Sequence, residues 1–201
     1  MENKTGLYIH IPFCVRKCNY CAFLSFDADP SLRKEYTGSL INEIRFRAEA
    51  LSHPELDTVY VGGGTPTVLD VSQMRDIMHA VDAYFRVKPG AEITIEANPG
   101  TLGRGDCAAL AKLQAYRSMG FSRISMGVQS MNNDRLRFMG RIHTAEDVIR
   151  DMELIRRKGF DNVNLDLIFS LPASSTADAL DDLERIIELE PEHISCYSLQ
   201  I

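Results

Sequence analysis

The sequence predicts an α/β fold in which parallel strands alternate with helices. Short apolar runs begin near residues 7, 58, 92, 123, 162 and 193, with helical patterns between them. The intervals each accommodate one strand, one helix and two loops, since a βαβ unit needs about thirty residues. Such strict alternation favours parallel strands covered by helices, either as a doubly wound sheet or as a barrel. The 201 residues, 45 % of them hydrophobic, suffice for one core, and we expect one domain over residues 1–201.

The predicted strands are apolar segments that end in turn or loop residues. They cover residues 7–11, 58–61, 92–97, 123–127, 162–168 and 193–199. The second ends at the glycine-rich segment GGGTPT, 62–67, and the third at the turn 98–100. A complete eight-stranded barrel takes roughly 250 residues, so six units are too few for one. Because no helix follows the last strand to cover it, we expect the sequence to be part of a longer protein.

The predicted helices are marked by capping residues and by apolar positions three or four residues apart. They are expected after Pro30, over 72–85, 107–119 and 133–139, from Thr144 to about residue 158, and after Ser175. The caps are Asp29 with Pro30 for the first helix, Gly120 for the end of the third, Thr144 with Asp147 for the fifth, and Ser175 or Thr176 for the last.

Composition excludes several classes of protein. The formal net charge of -6 argues against nucleic acid as a general partner, because phosphate binding needs clustered Lys and Arg. No run of 18 apolar residues predicts a transmembrane segment, and the first residues lack a signal-peptide core. Five cysteines, an odd number with three of them in one loop, argue against a framework of disulfide bonds. They favour a reducing, cytoplasmic location.

The most informative stretch is the cysteine loop that follows the first strand. Cys14, Cys18 and Cys21 have the spacing Cys-x3-Cys-x2-Cys, and three thiolates from one loop indicate a metal or cluster site. Structural zinc is one alternative, but tetrahedral zinc commonly takes two Cys-x2-Cys pairs, and no second pair is present. Cys107 and Cys196 are isolated within predicted elements, where we expect small buried hydrophobic residues.

An iron–sulfur cluster is the favoured alternative at this loop. Four irons bound by three thiolates leave one iron with an open coordination position, at which a further ligand can bind. The aromatic residues Phe13, Tyr20 and Phe23 surround the loop and would shield such a cluster from solvent.

Further candidate residues follow the other strands, and each also has a purely structural interpretation. The GGGTPT segment fits neither a P-loop nor a dinucleotide fingerprint, and is either a tight turn or a loop that a small ligand approaches closely. Glu96 could hydrogen-bond the 98–99 turn, and Asp166 could pair with a helix; both could instead face a ligand at the carboxyl ends of the strands. Gln129 could be a turn residue and Arg141 a surface charge.

The cysteine spacing after a first strand resembles the signature of the radical S-adenosylmethionine (SAM) superfamily. The resemblance implies a partial (β/α)6 barrel and a [4Fe–4S] cluster held by Cys14, Cys18 and Cys21. It also implies that the open iron chelates the amino and carboxylate groups of SAM, whose C–S bond is cleaved to give a 5'-deoxyadenosyl radical. Residues matching SAM-contacting positions of the family are Tyr8, Gly63, Gly64, Thr65, Glu96, Gln129, Arg141, Asp166 and, near a further contact, Gln200.

Within this superfamily, the segments YIHIPFC, 8–14, and GGGTPT resemble the oxygen-independent coproporphyrinogen III oxidase-like family. The resemblance implies either an oxidase acting on coproporphyrinogen III or a heme chaperone that transfers heme to acceptor proteins. Two features favour the chaperone branch: only 13 residues precede Cys14, and Phe23 stands where oxidases have a fourth cysteine. Whether the chain is itself an enzyme is left open by the sequence.

The resemblance also implies partners, and the chain departs from the family pattern in one segment. A reductant protein such as flavodoxin or ferredoxin would supply electrons, and a heme-acceptor protein would receive the cargo. Ser170 and Ser174 differ from the family's Gly-Leu-Pro-x-Gln pattern after the fifth strand. The heme-binding stretch of the chaperone branch lies in a C-terminal domain, which we expect to lie outside this sequence.

Overall fold

The structure, a computed structural model, describes residues 4–199. Six parallel strands form one sheet in the order β1-β2-β3-β4-β5-β6, so each strand pairs with its neighbour in sequence. The strands are β1 Gly6–Ile11, β2 Glu55–Gly63, β3 Arg86–Ala97, β4 Arg123–Gln129, β5 Val163–Phe169 and β6 His193–Ser198. No pairing joins β1 to β6 in the described part of the chain, and the predicted partial (β/α)6 barrel is confirmed.

Helices connect successive strands and cover the outer side of the sheet. They are α1 Pro30–Ala50, α2 Val71–Tyr84, α3 Asp106–Ser118, α4 Asn133–Phe138, α5 Ala145–Arg157 and α6 Thr176–Ile187, with a 3-10 turn at Pro66–Val68. The predicted caps are confirmed: Asp29, Thr144 and Ser175 each accept a hydrogen bond from the first turn of their helices. Between residues 4 and 199, none of the helices has the length and apolar content needed to cross a bilayer.

The residues of β4 and β5 alternate between the two sides of the sheet, as the period of two in a strand requires. One side is apolar and packs with helix residues into the main core; its members are Ile124, Met126, Val128, Val163, Leu165 and Leu167. The other side lines a central cavity; its members are Arg123, Ser125, Gly127, Gln129, Asn164, Asp166 and Ile168. The inner side of the sheet is therefore polar, and the hydrophobic core lies between the sheet and the helices.

Three strands are longer than predicted by more than one residue. The second runs from Glu55 to Gly63 rather than over residues 58–61. The third begins at Arg86 rather than at residue 92, because it pairs with β2 on both sides of a register shift that takes up the Pro89-Gly90 sequence. Proline and glycine indicate a turn in the sequence, but a bulge accommodates both. The fourth strand extends to Gln129, which lies at a second register shift with a left-handed backbone, φ 72°.

The expectation that Cys107 and Cys196 are small buried residues is wrong. Both are exposed. Cys107 lies in the first turn of α3, on the outer surface of the protein. Cys196 lies on β6, the last strand of the sheet, whose residues are largely exposed because no further strand pairs with it in the described chain.

A buried carboxylate anchors the loop after β4 to helix α6. Asp182 is 2 % exposed and accepts hydrogen bonds from Ser130 Oγ and the Met131 backbone N–H, each at 2.7 Å. Arg135 pairs with it at 3.3 Å between Nε and Oδ2. The carboxylate therefore fixes the segment that begins directly after Gln129.

Replacing Asp182 with Ala should lower the free energy of unfolding by about 2–4 kcal/mol, because the buried Met131 N–H loses its acceptor and Arg135 keeps Asp178 but loses its buried carboxylate partner. Urea denaturation followed by circular dichroism measures the change. Asp181→Ala on the exposed side of the same helix turn is the control and should change stability by less than about 0.5 kcal/mol. Equal effects of the two substitutions would contradict this role for Asp182.

Candidate functional site

A cavity of about 710 Å³ occupies the inner side of the sheet. The cysteine loop borders it, together with the ends of β2 to β6, so that chemically active side chains from distant parts of the sequence share one space. The carboxyl ends of parallel strands are where ligands bind in α/β folds, because the loops there are free to vary.

The cysteine loop is tied to the barrel at two places. Phe13 and Phe26 form a parallel bridge, and Cys14 N–H donates to the Phe26 carbonyl at 3.1 Å, which closes the loop at its base. In the middle, the side chain of Asn19 donates to the Phe138 carbonyl at 2.9 Å, at the end of α4. A Cβ on Gly140 would lie 2.8 Å from Asn19 Oδ1, so this contact requires a glycine.

The glycine-rich segment lies directly against the cysteine loop. Gly64 N–H donates to the Ile11 carbonyl at 2.8 Å, and Thr65 N–H donates to the Phe13 carbonyl at 2.7 Å. A Cβ on Gly64 would lie 2.7 Å from the Phe13 carbonyl oxygen and 3.0 Å from Cys14 Sγ. These glycines thus have a structural role in bringing the first cysteine close, in addition to facing the cavity.

Each cysteine sulfur has a polar neighbour. Thr65 Oγ1 donates to Cys14 Sγ at 3.6 Å, and Arg141 Nη1 donates to Cys18 Sγ at 3.3 Å. Cys21 Sγ lies 4.0 Å from the Ser25 hydroxyl. Hydrogen-bond donors beside the sulfur of a metal or cluster ligand are a common feature of such sites.

These residues fit a cluster better than a single metal ion. Within residues 4–199, no three His, Cys, Asp or Glu side chains converge on one point as a single ion would require. A four-iron cluster binds each thiolate through a different iron, so its three sulfurs surround a volume rather than a point. All three cysteines line the same cavity, as that arrangement demands.

Glu96 is placed at the end of β3 by two hydrogen bonds. Its carboxylate accepts from Tyr60 Oη at 2.7 Å and from the Gly63 backbone N–H at 2.9 Å. Burial raises the pKa of Glu96, while these two hydrogen bonds lower it and so oppose the effect of burial. The hydrogen bond to the 98–99 turn, considered from the sequence, does not form; the carboxylate instead joins β2, the glycine-rich segment and β3.

Asp166 lies on the cavity side of β5. It accepts a hydrogen bond from Asn164 Nδ2 at 2.8 Å, and no ion pair with a helix is formed by it in the described structure. Burial raises the pKa of Asp166 from its ordinary 3.8 to about 6, and the neighbouring charge of Glu96 contributes in the same direction. Two carboxyl groups in one cavity favour a ligand that carries positive charge or hydroxyl donors.

Most of the predicted site residues border the cavity, which brings together segments up to 150 residues apart. Those that line it are Cys14, Cys18, Cys21, Tyr20, Phe23, Gly63, Gly64, Glu96, Gln129, Arg141 and Asp166. Phe23 is 71 % exposed there, whereas Phe13 is fully buried in the core. The roles of these residues toward a ligand remain predictions.

Three predicted residues do not line the cavity in this way. Thr65 is 2 % exposed and lies behind Cys14, which lines the cavity and accepts a hydrogen bond from the Thr65 hydroxyl. Tyr8 is 57 % exposed; its ring stacks on Tyr60, with 5.9 Å between ring centroids, and its hydroxyl contacts His10. Gln200 lies outside the described residues.

Several cavity residues were not identified as candidates from the sequence. The main ones are Tyr60, Asn98, Arg123, Ser125 and Asn164. The register places Glu96, Ser125 and Asn164 side by side on three adjacent strands. A signal was present in the sequence. Most of the alternate positions of β4 and β5 are polar, which indicates strands with one polar side, whereas we predicted these strands as apolar segments.

Comparison with known proteins agrees with this geometry. The family model of the radical SAM superfamily matches residues 8–186. The heme chaperone HemW of Haemophilus influenzae is 37 % identical over 202 residues, covering 98 % of this chain and 51 % of that protein. HemW of Escherichia coli is 38 % identical over 197 residues, with 98 % and 50 % coverage. This chain thus spans about half the length of the curated relatives it matches.

A solved structure is similar over nearly the whole chain. It is the coproporphyrinogen III oxidase HemN from Escherichia coli, described as a radical SAM enzyme, with a TM-score of 0.88 and 31 % identity. The match covers 99 % of this chain and 45 % of that one.

Replacing Asp166 with Asn tests the buried carboxyl group through its pH dependence. The folded protein binds the Asp166 proton more tightly than the unfolded chain does, because the pKa is about 6 in place of 3.8. Below about pH 3 the group is protonated in both states and contributes nothing. Between the two pKa values the unfolded chain ionises while the folded protein keeps its proton, so stability falls with pH. The loss reaches about 3 kcal/mol once the pH has passed 6, where the folded state holds a buried charge.

The free energy of unfolding of the original protein, relative to Asp166→Asn, should therefore fall by about 3 kcal/mol between roughly pH 3 and pH 7. Urea denaturation at both pH values measures this difference. Asp161→Asn, at an exposed position just before β5, is the control and should show no such change. A difference between the original protein and Asp166→Asn that is independent of pH would contradict the assignment.

Proposed function

This chain belongs to the radical SAM superfamily, and we propose that it forms the cluster- and SAM-binding core of a heme chaperone. The observation that carries this proposal is the common cavity of the three cysteines, the glycine-rich segment and the two carboxyl groups. The superfamily implies a [4Fe–4S] cluster and SAM, and the donor set at this cavity fits both. We take residues 1–201 as the core domain of a longer, cytoplasmic protein.

The residues around the cavity divide into two groups by their chemistry. Cys14, Cys18 and Cys21 would hold the cluster, which when bound supplies an electron to SAM. Arg141 Nε is buried and has no hydrogen-bond partner among the described residues, which leaves one donor for an anion such as the SAM carboxylate. Glu96 and Asp166 would receive the hydroxyl and cationic parts of SAM, and Gly63 and Gly64 would border its methionine part.

The chaperone function is supported by the curated relatives and by one residue. HemW proteins, which are named heme chaperones, match this chain at 37 % and 38 % identity. Phe23 stands where the oxidases of the family are expected to have a fourth cysteine, and it is exposed at the cavity mouth. We therefore propose heme as the cargo, a heme-acceptor protein as the recipient, and a reductant protein such as flavodoxin or ferredoxin as the electron donor.

Oxidation of coproporphyrinogen III is the second candidate function. It is supported by the structural similarity to HemN from Escherichia coli, a coproporphyrinogen III oxidase. The two candidates share the cluster and SAM, so they differ in what the rest of the protein binds and in whether porphyrinogen is converted.

Anaerobic reconstitution with iron and sulfide should give a [4Fe–4S] cluster whose reduced-state EPR spectrum changes when SAM is added, because SAM would occupy the open iron. Cys18→Ser should bind less iron and lose this change. Cys107→Ser, which alters an exposed cysteine outside the cavity, is the control and should behave like the original protein. A cluster indifferent to SAM, or stoichiometric zinc with no capacity for iron, would contradict the proposal.

Two assays on the full-length protein distinguish the two candidate functions. In one the protein is given heme, and in the other it is given coproporphyrinogen III, SAM and a reductant. We expect heme binding and its transfer to an acceptor, without conversion of the porphyrinogen, since Phe23 stands where the oxidases of the family are expected to have a fourth cysteine. Absorption spectra and chromatography of the products measure both outcomes. Sustained formation of protoporphyrinogen would show that the oxidase is correct.

A further inference from the structure

A chain of hydrogen bonds centred on Asn98 connects two of the cysteine sulfurs. Asn98 follows β3, and its Oδ1 accepts from Arg141 Nη2 at 2.5 Å while its Nδ2 donates to Thr65 Oγ1 at 2.7 Å. At the outer ends of the chain, Arg141 Nη1 donates to Cys18 Sγ at 3.3 Å and Thr65 Oγ1 donates to Cys14 Sγ at 3.6 Å. One amide group thus lies between the two residues that contact the sulfurs.

The direction of every hydrogen bond in this chain is determined by Arg141. A guanidinium group can only donate, so the side-chain oxygen Oδ1 of Asn98 must face it and the side-chain NH2 group of Asn98 must face Thr65. The Thr65 hydroxyl therefore accepts from Asn98. Its single hydrogen remains available for Cys14, so both ends of the chain present a donor to sulfur.

The backbone around Asn98 is built to hold the amide in this orientation. The Thr101 hydroxyl donates to the backbone carbonyl of Asn98 at 2.6 Å and fixes the turn after β3. A Cβ on Gly127 would lie 2.7 Å from Asn98 Oδ1, so the space for the amide depends on a glycine in β4. The Gly127 carbonyl also accepts from Arg141 Nη2 at 2.6 Å, which holds the guanidinium group beside Asn98.

We propose that Asn98 is a positioning residue that raises the reduction potential of the cluster by directing the Thr65 hydrogen onto Cys14 and holding Arg141 against Cys18. The inference rests on the proposed cluster at the three cysteines. A hydrogen bond to a ligand sulfur stabilises the reduced, more negative state of a cluster, and hydrogen bonds to sulfur are among the factors that determine its potential. Asn98 contacts neither sulfur itself and acts through Thr65 and Arg141.

Asn98→Asp tests this inference with almost no change in shape. The substitution replaces the NH2 donor by a carboxylate oxygen that can only accept, so the Thr65 hydrogen turns toward it and away from Cys14. The midpoint potential should fall. The new negative charge lowers the potential as well, and the same substitution in a Thr65→Val background, which has no hydroxyl to redirect, isolates that contribution.

The measurement is an EPR-monitored redox titration of the reconstituted holoprotein and its three variants. We expect Thr65→Val alone to lower the potential, and the additional shift from Asn98→Asp to be roughly half or less of its size in the original background. Equal shifts of Asn98→Asp in both backgrounds, or a potential that none of the variants changes, would overturn the proposal.

Iron content and the SAM-dependent EPR change are read first on the original protein. Failure of that protein to form a cluster would overturn the proposed function, whereas a normal cluster with additive shifts would overturn only the role of Asn98. If Asn98→Asp does not hold the cluster, the neutral Asn98→Ser takes its place. It removes the amide and should also lower the potential, and an unchanged potential would overturn the proposal.

Discussion

The structure depends on holding the cysteine loop against the carboxyl end of the sheet. Cys14 is buried, but Cys18 and Cys21 are only partly buried, so apolar packing does not fix the loop by itself and hydrogen bonds to the backbone position it. The bridge between Phe13 and Phe26 closes its base, and Asn19 fastens its middle to the end of α4. Gly64 lets the glycine-rich segment lie against Cys14, and Gly140 lets the end of α4 lie against Asn19, because a Cβ at either position would collide with the loop. Once the loop is in place, the residues at the strand ends face it across one cavity.

The partial barrel provides that cavity at a cost in burial. Six strands curve without closing, so the inner side of the sheet is lined by polar residues instead of being filled by apolar ones. Glu96 and Asp166 are held there with pKa values raised by burial. Groups whose charged form is disfavoured in the folded protein are characteristic of binding sites, where a ligand of complementary charge compensates for the lost hydration. The apolar core beneath the helices carries the stability that this arrangement requires.

The fold was predictable from the sequence because its signals are local. The apolar runs of the strands and the caps at Asp29 and Thr144 can each be recognised within a short stretch of sequence. The cysteine spacing and the GGGTPT segment indicated the family, which the comparisons confirm. Residues such as Asn98 and Tyr60 escaped notice because their importance depends on contacts with partners 30 or more residues away. The exposure of Cys196 depends in the same way on β6 having no second neighbouring strand among residues 4–199, which no local pattern encodes.

In the proposed cluster, three thiolates leave one iron open and SAM binds that iron. Electron–nuclear double resonance on the reduced cluster tests this binding directly, with SAM labelled by nitrogen-15 at its amino group or oxygen-17 at its carboxylate. We expect a hyperfine coupling from each label that is large enough to require direct iron ligation. A reduced cluster that binds SAM but shows no coupling to either label would contradict this mode of binding.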